Sequence, residues 1–343
     1  MKISILGAGS WGSALTVAFS SISDVCLWSR NSKQVTIINK EHANSGYLPD
    51  GVKFGENVIA TDDLNIALNT DLIVIATPVN ALRSILLQIK SLCEIKHGID
   101  DHSQYENIPD IIWVCKGFEA GSGQLPHNIL EEVFASQNVT NYGALLGPSF
   151  AFDVANSSPT AITLSSKNTD FAFRWVEIFK PIPNFRVYVN SDIIGCEVGS
   201  AVKNIIAIAS GIVDGLNLGY NARAALITRS LNELSKLIIA LGGNEKTAYG
   251  LTGVGDLILT CTGDLSRNRI VGLKLASGRQ LDEILRDLGH VAEGVLTTKE
   301  VYHLARKLSI DMPIVEAVYN VLYNQYELRQ TIIDILARKP KLE

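Results

Sequence analysis

The opening of the chain constrains its fold more than any other stretch. The apolar run KISIL (2–6) leads directly into GAGSWG (7–12), and the helical sequence SALTVAFSSI follows. Gly7 would permit a tight turn, Gly9 would let a phosphate approach the backbone, and Gly12 would let helix and strand pack closely. The pattern predicts the strand–turn–helix unit of a dinucleotide-binding sheet, with the phosphates at the helix N-terminus. An ordinary glycine-rich turn is the alternative.

Short apolar runs alternate with helical segments up to about residue 190, and helical periodicity predominates after it. Strands are predicted at 2–6, 25–28, 72–77, 111–115, 142–146, 160–164 and 185–189. Several are apolar on both faces, which indicates a doubly wound parallel sheet of Rossmann type. Helices are predicted at 192–214, 221–241, 266–277, 281–288, 297–308 and 313–327. The sequence thus predicts an α/β domain over 1–190 and an all-helical domain over 191–343, with 96–109 as a surface loop.

The composition argues against several classes of function. A net charge of −5 with unclustered Lys and Arg argues against nucleic acid as a partner, although a small anionic substrate needs only local positive charge. Five widely spaced cysteines indicate free thiols, and six histidines without an H-x-x-x-H pair predict no metal site. The N-terminus loosely imitates a secretory signal, but glycines interrupt it, and no apolar run reaches the ~18 residues of a membrane span. We expect a cytoplasmic protein that does not insert into membranes.

The end of the second predicted strand, LWSRN, bears on cofactor choice. An NAD-specific site carries Asp or Glu about twenty residues after the glycine loop, to bind the ribose 2′-hydroxyl. Ser29 stands near that position and Arg30 follows it. The missing carboxylate removes repulsion against a 2′-phosphate, and Arg30 could pair with one, which favours NADPH over NADH. The alternative is a solvated Arg30.

Two lysines occupy unusual positions. Lys116 directly follows an apolar strand and would either reach a carbonyl or phosphate oxygen of a ligand or extend into solvent. Lys203 lies within AVKNIIAIAS (201–210). Its side of the predicted helix carries mostly small residues, which allow another element to approach closely: Gly199, Ser200, Ala207, Ser210 and Asp214. Because burial lowers a lysine pKa, Lys203 is either a general acid/base or a structural lysine paired with Glu197 or Asp256.

The segment GVGDLILTCTGDLSRNR (253–269) combines a carboxylate with a basic cluster. Asp256 follows a glycine turn, and Arg267 and Arg269 flank an amide beside Ser266. This arrangement suits a phosphate clamp. A helix cap at Ser266 explains the same residues equally well.

Taken together, these motifs closely resemble those of bacterial-type NAD(P)-dependent glycerol-3-phosphate dehydrogenases. The resemblance runs in order from residue 5 to past residue 320 and rests on GAGSWGSAL, VCKGFE, LLGPSFA, EVGSAVKNIIAIASGIVDGL, NARAALITR, LTGVGDLILTCT, SRNR, VAEGV and MPIVEAVYNVLY. It implies a fold like that of 6-phosphogluconate dehydrogenase. Two features depart from the family pattern: the 96–109 loop is long, and Cys115 replaces a small hydroxyl residue or Ala.

The resemblance also implies roles for individual residues. Lys203 matches the general acid/base, and the reaction centre around it includes Lys116, Asn204, Asp256 and Thr260. Positions that match substrate contacts are Lys116, Gly147, Ser149, Lys203, Asp256, Ser266, Arg267 and Asn268. Positions that match cofactor contacts, besides Gly7, Gly9 and Gly12, are Ser10, Trp11, Arg30, Lys116, Ala151, Arg267, Val291 and Glu293.

The activity implied is reduction of dihydroxyacetone phosphate to sn-glycerol 3-phosphate with NADPH or NADH, for phospholipid synthesis. A homodimer is expected because related folds often form one. Two alternatives stay open at this point. A related two-domain reductase of another ketone or hydroxy acid would not need the cluster at 266–269, and a non-catalytic NADPH-binding sensor would not need both Lys116 and Lys203.

Overall fold

The computed structural model of this chain describes residues 1–97, 108–137, 139–288 and 292–337. They form two compact units. The first, the α/β unit, comprises Met1–Cys115 and Pro126–Ile193, and the second, the helical unit, comprises Lys116–Leu125 and Ile194–Glu343. This division differs from the single boundary predicted near residue 190 because Phe118 and Leu125 pack in the core of the helical unit.

One eight-stranded sheet forms the centre of the α/β unit. Its strands are β1 (Lys2–Leu6), β2 (Asp24–Trp28), β3 (Val58–Thr61), β4 (Leu72–Ile75), β5 (Asp110–Trp113), β6 (Tyr142–Leu146), β7 (Thr160–Ser165) and β8 (Phe185–Asn190). Their order is β3-β2-β1-β4-β5-β6-β7-β8, so the chain reverses direction across the sheet beside β1. Ligands bind in sheets of this kind at that reversal, beyond the carboxyl ends of the strands. The predicted Rossmann-type sheet is confirmed.

Two details of the sheet were not predicted. The strand β3 was missed, since it has only four residues and lies at the sheet edge. The strand β7 pairs antiparallel with β6, whereas all other pairs are parallel. To pair parallel with β6, β7 would have to begin at the same end of the sheet as β6. The connection between them would then have to run back along a whole strand, about 17 Å for five residues. The only helix between β6 and β7 has five residues and rises about 7.5 Å, too little for a parallel crossover.

Helices cover the sheet of the α/β unit. They are α1 (Ser10–Phe19), α2 (Ser32–Glu41), α3 (Leu64–Ala67), α4 (Val79–His97), α5 (Pro126–Val133), α6 (Ala151–Ala155) and α7 (Thr169–Phe179). Ile5, Leu15 and Phe179 are fully buried in the core between sheet and helices. The predicted loop at 96–109 falls mostly outside the described residues, and α4 extends to His97.

The described part of the helical unit contains no strand. Its helices are α8 (Ile193–Gly215), α9 (Tyr220–Ala240), α10 (Asp256–Thr262), α11 (Arg267–Ala276), α12 (Leu281–Leu288), α13 (Glu293–Lys307), α14 (Pro313–Tyr323) and α15 (Leu328–Leu336). A 3-10 turn (Glu245–Tyr249) and a π-helical turn (Leu251–Gly255) precede α10. The helix α13 begins four residues before its predicted start, and the helix predicted at 313–327 ends at Tyr323, before the separate α15.

The core helix of this unit is α8. It is the one helix of the described chain long and apolar enough to cross a membrane, but it is almost entirely buried within the protein. Its small-residue side packs closely, as predicted. A β-carbon on Gly199 would lie 2.5 Å from the carbonyl oxygen of Thr252, and one on Gly211 would lie 2.1 Å from that of Arg269. The absence of side chains at these positions brings α8 against the π-helical turn and against α11.

Candidate active site

The glycine loop has the geometry of a pyrophosphate site. Gly7 adopts φ +125°, a conformation that favours glycine, and its N–H donates to the carbonyl of Trp28. A β-carbon on Gly12 would lie 1.9 Å from the carbonyl oxygen of Gly7, so only glycine fits. At Gly9 a β-carbon would meet no described atom within 4 Å, which leaves the loop open to a ligand. No side chain caps α1, so its first N–H groups can bind phosphate.

The carboxyl end of β4 adds an unsatisfied group beside this loop. Among the described residues, the hydroxyl of Thr77 is buried and has no hydrogen-bond partner. The backbone of Thr77 approaches within 3.2 Å of the β-carbon position of Gly7. A buried hydroxyl without a partner costs free energy of folding, which a bound ligand can offset. These features fit a dinucleotide.

The position of the usual ribose-binding carboxylate is occupied by a buried hydroxyl. Ser29 donates a 2.7 Å hydrogen bond to Gln34 and accepts one from the N–H of Asn31. Arg30 is exposed, and no described carboxylate lies within ion-pair distance of it. The guanidinium is therefore available to an anion at the end of β2.

Gln34 and Asn44 were missed by the sequence analysis. Both amides donate to the carbonyl of Ala8 inside the glycine loop, at 2.9 and 3.0 Å, and Asn44 also donates to Ser13. They lie 26 and 36 residues from Ala8 along the chain, so no local pattern could reveal the contacts. The two amides therefore fix the position of the glycine loop through its backbone carbonyl at Ala8.

The remaining predicted residues of the α/β unit lie together after β6. Gly147 adopts φ +139°, and a β-carbon there would lie 3.1 Å from Cα of Ile162. Ser149 donates to the carbonyl of Gly147 at 3.1 Å. Ala151 is the first residue of α6, which packs on α1. Gly147 and Ser149 thus follow directly after β6, and Ala151 opens the next helix.

In the helical unit, a buried carboxylate joins the two candidate lysines. Asp256 accepts a hydrogen bond from Lys203 on one oxygen, at 2.5 Å, and from Lys116 on the other, at 2.8 Å. Thr260, one turn further along α10, accepts from Lys203 at 3.0 Å. Asp256 follows the π-helical turn, a distortion often found at functional sites. Lys116 thus does not extend into solvent, and the carboxylate paired with Lys203 is Asp256.

The electrostatics of this cluster favour proton transfer. Burial lowers the pKa of Lys203 to about 8, with a further decrease from the charge of Lys116 and an opposing increase from Asp256. A general acid works best when its pKa lies near the working pH. The ion pair with Asp256 and the capacity to exchange a proton are therefore compatible properties of one lysine.

The basic cluster at 266–269 divides into two roles. Ser266 caps α11 by accepting from the N–H of Arg269, as the helix-cap interpretation predicted. The guanidinium of Arg269 binds Asp214 at 2.8 Å and Asp264 at 3.1 Å, so it is not a clamp residue. Arg267 is exposed at the first turn of α11, where helix N–H groups and its own charge can attract an anion.

A series of amide hydrogen bonds connects α8, α11 and α13 around this cluster. The side chain of Asn268 donates to Asn204 at 3.0 Å and accepts from the N–H of Gly294 at 3.1 Å. Glu293 begins α13, and burial raises the pKa of its carboxyl while Arg267 and the two lysines oppose the rise. Val291, also predicted to bind the cofactor, lies outside the described residues.

Known proteins resemble this chain over its whole length. Residues 2–172 match the sequence profile of the NAD-dependent glycerol-3-phosphate dehydrogenase N-terminus, and residues 192–333 match that of the C-terminus. Glycerol-3-phosphate dehydrogenase [NAD(P)+] of Dechloromonas aromatica is 46% identical, over 100% of this chain and 99% of the relative. The enzyme of the same name from Aromatoleum aromaticum is also 46% identical, with full coverage of both chains.

Solved structures show the same likeness. The crystal structure of glycerol-3-phosphate dehydrogenase from Coxiella burnetii has a TM-score of 0.89 and 38% identity, and covers 98% of this chain and 99% of its own. A ketopantoate reductase from Ralstonia eutropha shares the fold alone, with a TM-score of 0.55 and 12% identity over 97% of this chain and 99% of its own. The chain belongs to the NAD-dependent glycerol-3-phosphate dehydrogenase family.

Proposed function

We infer that the protein catalyses the reversible reduction of dihydroxyacetone phosphate to sn-glycerol 3-phosphate with NADPH or NADH. The observation that carries this inference is the buried carboxylate of Asp256, which binds both Lys203 and Lys116. The names of relatives 46% identical over the whole chain support the same activity. Both alternatives from the sequence, a related two-domain reductase of another ketone or hydroxy acid and a non-catalytic NADPH-binding sensor, lack such support.

Lys203 and Lys116 act on the ketone of the substrate. A bound nicotinamide supplies the hydride that reduces C2. Negative charge then develops on the C2 oxygen, where the ammonium of Lys203 stabilises it and donates the proton. Asp256 and Thr260 hold that ammonium through two hydrogen bonds, and Lys116 adds a second positive charge. In the reverse direction, neutral Lys203 accepts the proton of the alcohol.

The phosphate is assigned to the start of α11. Arg267 provides a charge there, and the first N–H groups of the helix provide donors, while Ser266 keeps its hydroxyl on the helix cap. Asn268 contributes its backbone N–H, because its side chain is already engaged at both ends. Gly147 and Ser149 stay predicted substrate contacts of the α/β unit. Binding energy at the phosphate orients the reacting carbon.

The dinucleotide is assigned to the glycine loop. Gly7, Gly9 and Gly12 shape the turn, and the N–H groups of Ser10 and Trp11 face the pyrophosphate. Arg30 binds the 2′-phosphate of NADPH, which the absence of a carboxylate at Ser29 supports. Ala151, Val291 and Glu293 stay predicted cofactor contacts, as do Lys116 and Arg267, which would contact both ligands.

The activity is tested by following NADPH absorbance with dihydroxyacetone phosphate and, as control, unphosphorylated dihydroxyacetone. We expect oxidation only with the phosphorylated ketone. Arg267→Ala should raise KM for dihydroxyacetone phosphate at least tenfold, because it removes a charge-assisted contact worth about 1.5–3 kcal/mol. Lys274→Ala removes the same charge from the other end of α11 and should leave KM unchanged. Equal rates with both ketones would favour the reductase alternative.

The biological setting follows from the product. We propose that the enzyme supplies glycerol phosphate for phospholipid synthesis in the cytoplasm. Burial of α8, the one described helix with the length and apolarity of a membrane span, supports a protein that does not insert into membranes. The homodimer stays a prediction from the sequence. Gel filtration with light scattering tests it.

A further inference from the structure

Gln34 joins two parts of the cofactor site that lie on different elements of the α/β unit. It belongs to the first turn of α2, which Asn31 caps, and its side-chain oxygen accepts from the hydroxyl of Ser29 at 2.7 Å. Its side-chain nitrogen donates to the carbonyl of Ala8 in the glycine loop at 2.9 Å and to Asn44 at 3.1 Å. Ser29 stands near the position where an NAD-specific site carries its carboxylate. One amide therefore connects the specificity position with the pyrophosphate loop.

Backbone groups at both ends dictate the direction of this amide. The N–H of Asn31 can only donate, so the hydroxyl oxygen of Ser29 accepts from it and the single hydroxyl proton is left for Gln34. The carbonyl of Ala8 can only accept, so the NH₂ group of Gln34 must face it. The oxygen of Gln34 therefore faces Ser29 and its nitrogen faces the loop. An acceptor without a proton at position 29 would oppose this direction.

The same amide fixes the direction of a phosphate donor. The peptide bond between Ala8 and Gly9 is trans and planar, so its C=O and N–H groups point in opposite directions. Gln34 and Asn44 both donate to this C=O, at 2.9 and 3.0 Å, and the N–H of Gly9 is therefore turned away from them. A β-carbon on Gly9 would meet no described atom within 4 Å, so a pyrophosphate has room to approach the backbone here.

We propose that Gln34 is a positioning residue that couples cofactor specificity at Ser29 to pyrophosphate binding at Gly9. This rests on the proposed function, because it takes the glycine loop as the site of the dinucleotide. The serine hydroxyl keeps the amide in the direction that orients the loop. The choice of residue at position 29 therefore affects the pyrophosphate as well as the ribose.

The coupling has a consequence for the exchange of cofactors. A carboxylate in place of Ser29 suits the ribose hydroxyls of NADH, but it has no proton to donate to the oxygen of Gln34. The amide then turns its NH₂ group toward the carboxylate and its oxygen toward the carbonyl of Ala8. Two acceptors face each other, and the peptide that carries the N–H of Gly9 loses its alignment.

The test is a double-mutant cycle with Ser29→Asp and Gln34→Met, in which fluorescence titration measures the dissociation constant of NADH. NADH has no 2′-phosphate for the added carboxylate to repel, and methionine is as long as glutamine but has no N–H to donate. In the wild-type background Gln34→Met should weaken NADH binding about fivefold, as one lost hydrogen bond does. In the Ser29→Asp background the same exchange should strengthen NADH binding, because it removes the oxygen that faces the carbonyl of Ala8.

A purely structural Gln34 predicts a different result. Loss of packing would change NADH affinity by the same factor in both backgrounds, and equal factors would overturn the proposal while the cofactor assignment stands. Failure of the wild-type protein to bind either NADH or NADPH would overturn that assignment and this inference with it. Gln88→Met, at an exposed glutamine of α4, is the matched control and should leave NADH affinity unchanged in both backgrounds. Thermal unfolding checks that each variant is folded.

If Ser29→Asp does not fold, Ser29→Ala asks the same question without an added charge. It removes the hydroxyl that holds the oxygen of Gln34. It should weaken NADH binding about threefold in the wild-type background and leave it unchanged in the Gln34→Met background, where there is no amide to hold. The same loss in both backgrounds would mean that Ser29 acts on the cofactor independently of Gln34, and would reject the coupling.

Discussion

Nζ of Lys203 lies 2.5 Å from Oδ1 of Asp256, and both side chains are buried within the helical unit. A buried charge with one partner removed is strongly destabilising, by about 3–5 kcal/mol. The pair therefore serves two purposes: it allows an ammonium to exist in an apolar helix, and it keeps that ammonium in one orientation.

Lys203→Ala should abolish most turnover without abolishing cofactor binding. Loss of a general acid typically costs ~10²–10⁴-fold in rate. The glycine loop belongs to the α/β unit, so NADPH titration by fluorescence should give an affinity close to that of the wild type. Lys299→Ala, an exposed lysine of α13, is the matched control. A Lys203→Ala enzyme with near-wild-type turnover would leave Lys203 a purely structural role.

The rate of ketone reduction should fall as the pH rises through the pKa of Lys203, about 8, since only the ammonium can donate a proton. Alcohol oxidation should rise through the same pH, because it needs neutral lysine. Asp256 raises this pKa, so Asp256→Asn should move both limbs of the profile to lower pH. Profiles of kcat/KM recorded from about pH 6 to about pH 10, on both sides of that pKa, measure the shift.

Asp264→Asn is the control for the pH profiles. Asp264 is 95% exposed and pairs only with Arg269 in the described chain. Its removal should leave both limbs in place. A limb that moves to higher pH in Asp256→Asn would contradict the assigned role of the carboxylate.

Arg30→Ala should weaken NADPH about tenfold or more and NADH little, because a charge-assisted contact to the 2′-phosphate is worth about 1.5–3 kcal/mol. The comparison of the two dissociation constants by calorimetry is the measurement. Lys40→Ala removes an exposed cation from the other end of α2 and should affect neither. Equal losses for the two cofactors would exclude Arg30 from 2′-phosphate recognition.

Glu233 should make stability depend on pH. Its carboxylate accepts from the N–H groups of Ile314 and Val315 at the start of α14, and burial raises its pKa to about 7. Asp311 adds to the rise, whereas Lys236 and the two N–H groups oppose it. The unfolded chain loses this proton near its ordinary pKa of about 4.3, so the free energy of unfolding should fall by about 3 kcal/mol as the pH rises from there to 7.

The check is thermal unfolding of Glu233→Gln across that pH range. Its melting temperature should vary less with pH than that of the wild type, since glutamine does not titrate. Glu316→Gln, an exposed residue in the first turn of α14, should keep the wild-type slope. A parallel pair of slopes for Glu233→Gln and wild type would refute the titration of Glu233.

Local patterns predicted much of this molecule. The glycine loop, the alternating apolar runs and the small side of α8 each depend on residues close in the chain, and the structure confirmed the Rossmann-type sheet and the close packing at Gly199. The sequence also narrowed the partner of Lys203 to two carboxylates. The choice between them depended on a contact 53 residues away along the chain.

What could not be predicted involves distant partners. The local sequence made Arg269 a candidate phosphate ligand, but its guanidinium donates a hydrogen bond to Asp214, 55 residues earlier in the chain. The amides of Asn204 and Asn268 are 64 residues apart, and their polarity depends on a third backbone group. Such contacts follow from packing of whole helices, which no spacing of residue types encodes.

The segment Lys116–Leu125 belongs to the helical unit although the chain returns to the α/β unit at Pro126. Lys116 is therefore synthesised 140 residues before Asp256. At about 5–20 residues per second, translation separates the two halves of this ion pair by on the order of ten seconds. The sheet of the α/β unit can be completed while the rest of the chain is still being synthesised. Lys116 and Lys203 gain their common counter-ion, Asp256, only when the helical unit has been made. The catalytic cluster is therefore the last part of the protein to form.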